Sequence, residues 1–336
     1  MTDYVEGQVV APSEAPTSSP KVERERKPVD IAPERRRTNI GPYKLERRIE
    51  GGKAECWMCK DTRDGERKFL KKFPSPKMPS ETDRSHDRAS YDSQVAQCNA
   101  FMEQHKAVMR DIAEDRLGGG SLVRPLDAFW FESSFFKVYP FIDDLRPFSA
   151  ESTRGWDAGR RIVAIRSVLL ALRELHDRNI VHGDIKRENI HLVEFPGGLV
   201  ARLIDFDDSY RVDAPPPKTT LGGTEDYYSP EVLVYKGFAD SALPLPLGLA
   251  SDVFSISLAI HEALSASGRQ PRWNGRETAD AAIHALAGDP VEYLPLGTGK
   301  KLLEFRLKQC LAVDPRDRPR VSELLSASGA NLGRIA

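Results

Sequence analysis

The chain has 336 residues, 49 Lys+Arg against 50 Asp+Glu for a net charge of −1, and 40% hydrophobic and 29% charged residues. That length fits two ordinary domains or one large two-lobed unit with a tail, and the composition supplies both a core and a soluble surface. Near-neutrality argues against a nucleic-acid or membrane-surface partner, and no apolar run approaches the roughly 18 residues that span a bilayer.

Residues 1–39 are rich in proline, serine, glutamate and arginine, with almost no clustered apolar residues. Such a segment buries too little to offset its ordering entropy, so a disordered tail is expected. Its start, MTDYVEGQVVAPSEAP, lacks the basic opening and apolar stretch of a secretory signal. A cytoplasmic chain is the expectation. The run Arg35-Arg36-Arg37 reads as a basic address or a solvated tail, and acidic neighbours favour the tail.

From Tyr43 to Phe73 the runs YKLERRI, ECWMCKD and RKFLKKF alternate apolar and polar residues between turn signals, which predicts an antiparallel meander. Cys56 and Cys59 form a C-x-x-C, but it lies on one of these strands, where residues three apart point to opposite faces. No second C-x-x-C completes a tetrahedral metal site, so both cysteines are read as strand core. PSPKMPS is expected to break the chain before a long helix over about 90–114, with Val95, Cys98, Phe101, Met102, Met109 and Ile112 at helical spacing. Gly118-Gly119-Gly120 ends it, and LVRPLDAFWF and SFFKVYPFI supply two more strands. Five strands and one helix make a small first lobe.

Beyond Asp143 the pattern turns helical. RRIVAIRSVLLALRELHDRN repeats apolar residues every three to four positions, and the strand-like IHLVE and VARLIDF follow. DVFSISLAIHEALSA, ETADAAIHALAG, GKKLLEFRLKQCLAV and RVSELLSAS complete a helical lobe. The fold class is α+β, with a tail at 1–39, a β-rich lobe at 40–142 and a helical lobe at 143–330. A cleft is expected between the lobes.

HGDIKRENI places Asp184, Lys186 and Asn189 at fixed offsets just before an apolar strand, and LIDFDDS places Asp205 and Phe206 at the end of the next. LGGTEDYYSPE at 221–231, SDVFSISLAIHEAL and DPRDRP follow in order. Together these resemble the eukaryotic-type protein kinase family over about 43–325. The resemblance implies a bilobal kinase fold, ATP and Mg2+ as cofactors, and protein substrates of unknown identity. Asp184 would accept the substrate hydroxyl's proton and aim it at the γ-phosphorus. Lys186 would neutralise charge on the transferring group, and Asn189 and Asp205 would hold magnesium. Thr224 would lie near Asp184 and Lys186, Glu231 would pair with Arg318, and Asp252 would hold the catalytic loop.

The nucleotide end is less regular. EGGKAECWMCKD resembles the glycine-rich loop and next strand, with Gly51 and Gly52 placed to bring backbone amides to phosphate, while Ile49 stands where a first glycine is expected. Lys71 matches the lysine that grips the α- and β-phosphates, with Lys72 as fallback. Phe69, on the same face as Lys71, replaces a usually small residue beneath the adenine. The family pairs its lysine with a helix glutamate; here the candidates are Glu103 and Gln97, and the helical wheel favours Gln97.

Three readings compete. Lys186 favours a serine/threonine protein kinase. A small-molecule kinase of the aminoglycoside or choline type shares His182-Gly183-Asp184 but leaves Lys186, Ser229-Pro230-Glu231 and Arg318 unexplained. A pseudokinase, acting as a nucleotide-binding or scaffolding module, is favoured by Ile49, Phe69, the uncertain helix partner and Asp207. Gly183 stands where relatives carry an arginine that binds a phosphorylated activation segment, so phosphorylation of Thr219 or Thr220 is not expected as an obligatory switch. Asp207 replaces the family's glycine and is expected to stiffen the turn and point to water, with a metal role as the alternative. Thr17, Ser18, Ser19 and Thr38 are expected autophosphorylation sites.

Overall fold

The computed structural model describes residues 38–49, 54–113, 120–143, 145–196, 198–278 and 280–329. The expectations for Gly51, Gly52 and the tail before Thr38 fall outside that set.

The first lobe is one antiparallel sheet: β1 (Asn39–Ile40), β2 (Tyr43–Ile49), β3 (Glu55–Asp61), β4 (Arg67–Lys77), β5 (Asp127–Phe131) and β6 (Ser134–Pro140). Strand order is β1-β2-β3-β4-β6-β5, so β4 and β6 sit side by side with Lys71 opposite Lys137. The two-residue β1 is the sixth strand that periodicity is too short to reveal. β4 also outruns the expected break at PSPKMPS. Its pairing slips between Lys72 and Lys77, and the two prolines lie in that slip, where no regular ladder bond is required of them. Cys56 and Cys59 are buried on β3 as free thiols, which agrees with the strand-core reading.

A short helix α1 (Glu81–His86) precedes the long α2 (Arg88–Ala113). On α2 the residues that go inward are Cys98, His105, Val108 and Ile112, with Phe101 half-buried. Phe101 and His105 pack edge-on against Phe73 of β4, at 5.7 and 5.3 Å between ring centres, and Phe135 of β6 closes the cluster. Gln97 and Glu103 are both exposed, so neither is the partner of Lys71.

The second lobe begins with β7 (Arg146–Pro147), α3 (Ala150–Thr153) and α4 (Ala158–His176), whose Asp157 side chain caps it by accepting from the Arg160 N–H. Next come β8 (Ile180–Val181), β9 (Ile190–Phe195), β10 (Gly198–Leu203) and β11 (Tyr210–Arg211). β9 and β10 form a hairpin, and β11 pairs with β8. After them come α5 (Pro230–Lys236), α6 (Leu249–Leu264), β12 (Arg272–Trp273), α7 (Ala281–Leu286), β13 (Val291–Glu292), α8 (Lys301–Gln309) and α9 (Val321–Ala327). α6 is buried on nearly all sides, and its buried Ser, Asp and His side chains find internal hydrogen-bond partners. One core joins α4, α6, α8 and α9 to the β9–β10 hairpin, and this rigid base carries the loops of the site. The molecule is thus an α+β bilobal fold. Among the described residues, no helix is long and apolar enough to cross a membrane.

Candidate active site

The loop from His182 to Asn189 is fixed from below. Asp252, on the first turn of α6, accepts from the backbone N–H groups of His182 (2.7 Å) and Gly183 (3.1 Å), and also contacts His176 Nε2 at 3.0 Å. A buried carboxylate with three partners meets the full cost of its desolvation locally. The loop then turns through a 3₁₀ segment, Arg187–Asn189, into β9.

Above this base four side chains converge. Lys186 Nζ donates to Asp184 Oδ2 at 2.7 Å and to Thr224 Oγ1 at 2.8 Å, while the Thr224 hydroxyl donates to Asp184 Oδ1 at 2.7 Å. Asn189 Nδ2 donates to the Asp184 carbonyl at 2.8 Å and to Oδ2 at 3.0 Å. With its nitrogen committed, Asn189 is left its Oδ1 as a ligand atom. Asp184 is buried to 8% exposure with both oxygens held, so its carboxylate is fixed in orientation.

The second group joins the lobes. Lys71 Nζ meets both oxygens of Asp205, at 2.8 and 2.9 Å, and Asp207 Oδ2 at 2.5 Å. Lys72 instead pairs with Glu55 at 3.0 Å, so alternation along β4 separates the two lysines as expected. Asp205 sits at φ +64°, a left-handed conformation that aspartate tolerates and that stores local strain at the site.

Asp207 does not point to water. Its other oxygen receives Lys137 Nζ at 2.7 Å, and the Tyr139 hydroxyl donates to it at 3.3 Å. The expectation of a solvated turn fails because the positive φ falls on Asp205, which turns residue 207 inward between two strands. Burial and the neighbouring Asp207 push the Asp205 carboxyl above the usual carboxylate range. Burial would also raise Asp207, but Lys137 and Lys71 hold it well below the ordinary range. Burial disfavours the Lys71 ammonium, yet Asp207 and Asp205 outweigh it and keep that group raised.

Among the described residues no cluster of three or more His, Cys, Asp or Glu forms a ready-made metal cage. Asp205, its charge strained by burial beside a second carboxylate, and Asn189 Oδ1 are donors of the right hardness for magnesium.

The structural pairings implied around the site are present. Glu231 and Arg318 form a fully buried two-pronged bond at 2.7 and 2.8 Å. Sequence reasoning missed Lys137, Tyr139 and His105. Lys137 had a readable signal, a lone charge inside the apolar strand SFFKVYPFI.

A model of the protein kinase domain family matches residues 136–328. The chain is 27% identical over 206 residues to the serine/threonine-protein kinase shk1/pak1 of Schizosaccharomyces pombe, covering 61% of this chain and 29% of that protein. It is 32% identical over 163 residues to STE20 of Kluyveromyces lactis, covering 48% of this chain and 15% of that protein. It is 31% identical over 161 residues to the human mitogen-activated protein kinase kinase kinase 5, covering 48% of this chain and 11% of that protein. The chain thus spans less than a third of the length of each of these relatives. The family match takes in more than half of the chain, from β6 through the catalytic-loop geometry to α9, and the chain belongs to the protein kinase family.

Proposed function

We propose that the chain is an ATP- and magnesium-dependent serine/threonine protein kinase acting on protein hydroxyls in the cytoplasm. The observation that carries this reading is the Asp184–Lys186–Thr224 arrangement, in which a carboxylate, an ammonium and a hydroxyl meet within 2.8 Å. In the proposed step the substrate oxygen attacks the γ-phosphorus and its O–H proton passes to the Asp184 carboxylate. The bond from the γ-phosphorus to the bridging oxygen breaks, and ADP leaves. Lys186 offsets charge on the phosphoryl oxygens, and Lys71 meets the phosphates nearer the nucleoside. Asp205 and Asn189 would hold magnesium, which when bound neutralises phosphate charge.

Incubation with labelled ATP, magnesium and a generic protein substrate, beside an Asp184→Asn control, tests the reading. Transfer by the native chain and none by the control is expected; equal labelling by both would sink it.

One observation favours a second reading, a pseudokinase that binds nucleotide without transfer. Phe69 and Tyr139 bring two rings within 6.1 Å on the face that carries Lys71, where the family keeps a small residue beneath the adenine. Nucleotide binding with no transfer by the native chain would select this alternative.

A further inference from the structure

Lys71 and Lys137 face each other across neighbouring strands, and one carboxylate answers both. Asp207 reaches Lys71 at 2.5 Å and Lys137 at 2.7 Å, although Lys137 is only 1% exposed. Both ammonium groups also lie over the Phe73 ring, at 5.7 and 5.4 Å from its centre. A buried lysine with no carboxylate beside it would be strongly disfavoured, so Lys137 and Asp207 each account for the other's presence.

Helix α2 reaches the same aromatic floor but brings no acid to it. Its inward residue there is His105, which burial drives down to about 3 and so keeps neutral. In kinases generally, the phosphate-gripping lysine must pair with a glutamate from this helix, and helix position controls that pairing. Here the acid comes instead from the segment that carries Asp205.

We propose that Asp207 is the positioning residue for Lys71, and that Lys137 is the buried counter-charge holding Asp207 in place. Assembly of the nucleotide site is then set by residues 205–208 and is insensitive to the acid and amide side chains of α2. The Asp207 carboxylate thereby takes over the task of the missing helix glutamate, which explains why residue 207 is not glycine. The nucleotide part of this proposal rests on the kinase reading; the ion-pair part does not.

The first measurement needs no nucleotide. The folded chain is treated with an amine-acetylating reagent, and the rate of modification at Lys71 is followed by mass spectrometry. Asp207→Asn is expected to speed labelling of Lys71 at least threefold, whereas Gln97→Ala and Glu103→Ala leave it at the native rate. A change below threefold in Asp207→Asn, or a threefold change in either helix variant, overturns the proposal. Should Asp207→Asn not fold, Asp207→Asn/Lys137→Met removes carboxylate and counter-charge together and is judged by the same threshold.

The second measurement is the affinity for a fluorescent ATP analogue with magnesium. Asp207→Asn is expected to lose at least threefold while both helix variants keep native affinity; a native-like affinity in Asp207→Asn overturns the positioning role. A native chain that binds no ATP would overturn the kinase reading instead, and the labelling rates would still decide the ion pair.

Discussion

Gly183 and Asp208 approach so closely that no side chain fits between them. Gly183 sits at φ +79°, and a Cβ placed on it would fall well inside 3.0 Å of the Asp208 carbonyl oxygen. Asp208 also lies against Gly222 and accepts from the Gly223 backbone N–H, so the catalytic loop and both ends of the activation segment meet at one aspartate. Burial, with the nearby Asp184, raises the Asp208 carboxyl. Gly183→Ala is therefore expected to cost about 2–4 kcal/mol, combining left-handed strain with overpacking. Denaturant unfolding measures this, and a loss below about 1 kcal/mol would show that the contact relaxes freely.

The activation segment is also held along its length without a phosphate. β11 pairs with β8, the Tyr235 hydroxyl donates to the Pro216 carbonyl at 2.9 Å, and Lys236 donates to the Leu221 carbonyl. Thr219 and Thr220 are exposed, and the catalytic loop carries no arginine at 183 to receive a phosphate on them. Thr219→Ala/Thr220→Ala is expected to retain basal transfer within a few-fold. A loss of orders of magnitude in steady-state phosphorylation would mean that a phosphate does order this segment.

What the sequence reveals here follows from range. Alternation in RKFLKKF puts Phe69 and Lys71 on one face of β4 because strand geometry is local, whereas the preference for Lys71 and the buried helix at Asp252 rest on the motif resemblance. The partner of Lys71 was not legible. The inward stripe of α2 runs Cys98, Phe101, His105, Val108 and Ile112, whereas the expected stripe took the partly buried Val95, Met102 and Met109 in place of His105 and Val108. The pairing with Asp207 joins residues 136 positions apart in sequence through a backbone turn at Asp205 that no propensity announces. Elements of two to four residues, such as β8, β11 and α3, span only about one period, too little for a pattern to be read from sequence.

The Glu231–Arg318 bond anchors the segment after Thr224 to the helical core. All five guanidinium N–H groups are used: two on Glu231 and the others on the carbonyls of Ala312, Ala250 and Val313, with Phe254 beneath at 5.0 Å. Ser251 donates to the same carboxylate at 2.8 Å. Arg318→Met leaves a fully buried carboxylate without its cation and is expected to cost about 3–5 kcal/mol. Glu231→Gln/Arg318→Met should cost less than the sum of the two single changes. Urea melts of all three variants provide the comparison; strict additivity would mean that the pair acts as two independent groups.

His261 supplies a pH-dependent contribution to stability away from the site. Its Nδ1–H donates to the Arg269 carbonyl at 2.8 Å, and its Nε2 accepts from the Leu294 N–H at 2.9 Å, so both nitrogens are occupied in the neutral form. Burial pushes the imidazole down to about 4, below the ordinary histidine value near 6.5, and protonation would also set a new N–H against the Leu294 N–H. The unfolded chain thus takes up a proton between those values that the folded chain refuses. Stability from this residue is complete above pH 6.5 and falls as pH drops through the window, by about 1.4 kcal/mol per unit at its steepest. His261→Gln can donate to the same carbonyl and accept from the same N–H without titrating. Its unfolding free energy is expected to fall less steeply than the native chain's between pH 6.5 and 4.5, by about one proton's worth of slope. Identical slopes in urea titrations across that range would show that His261 takes up its proton equally in both states.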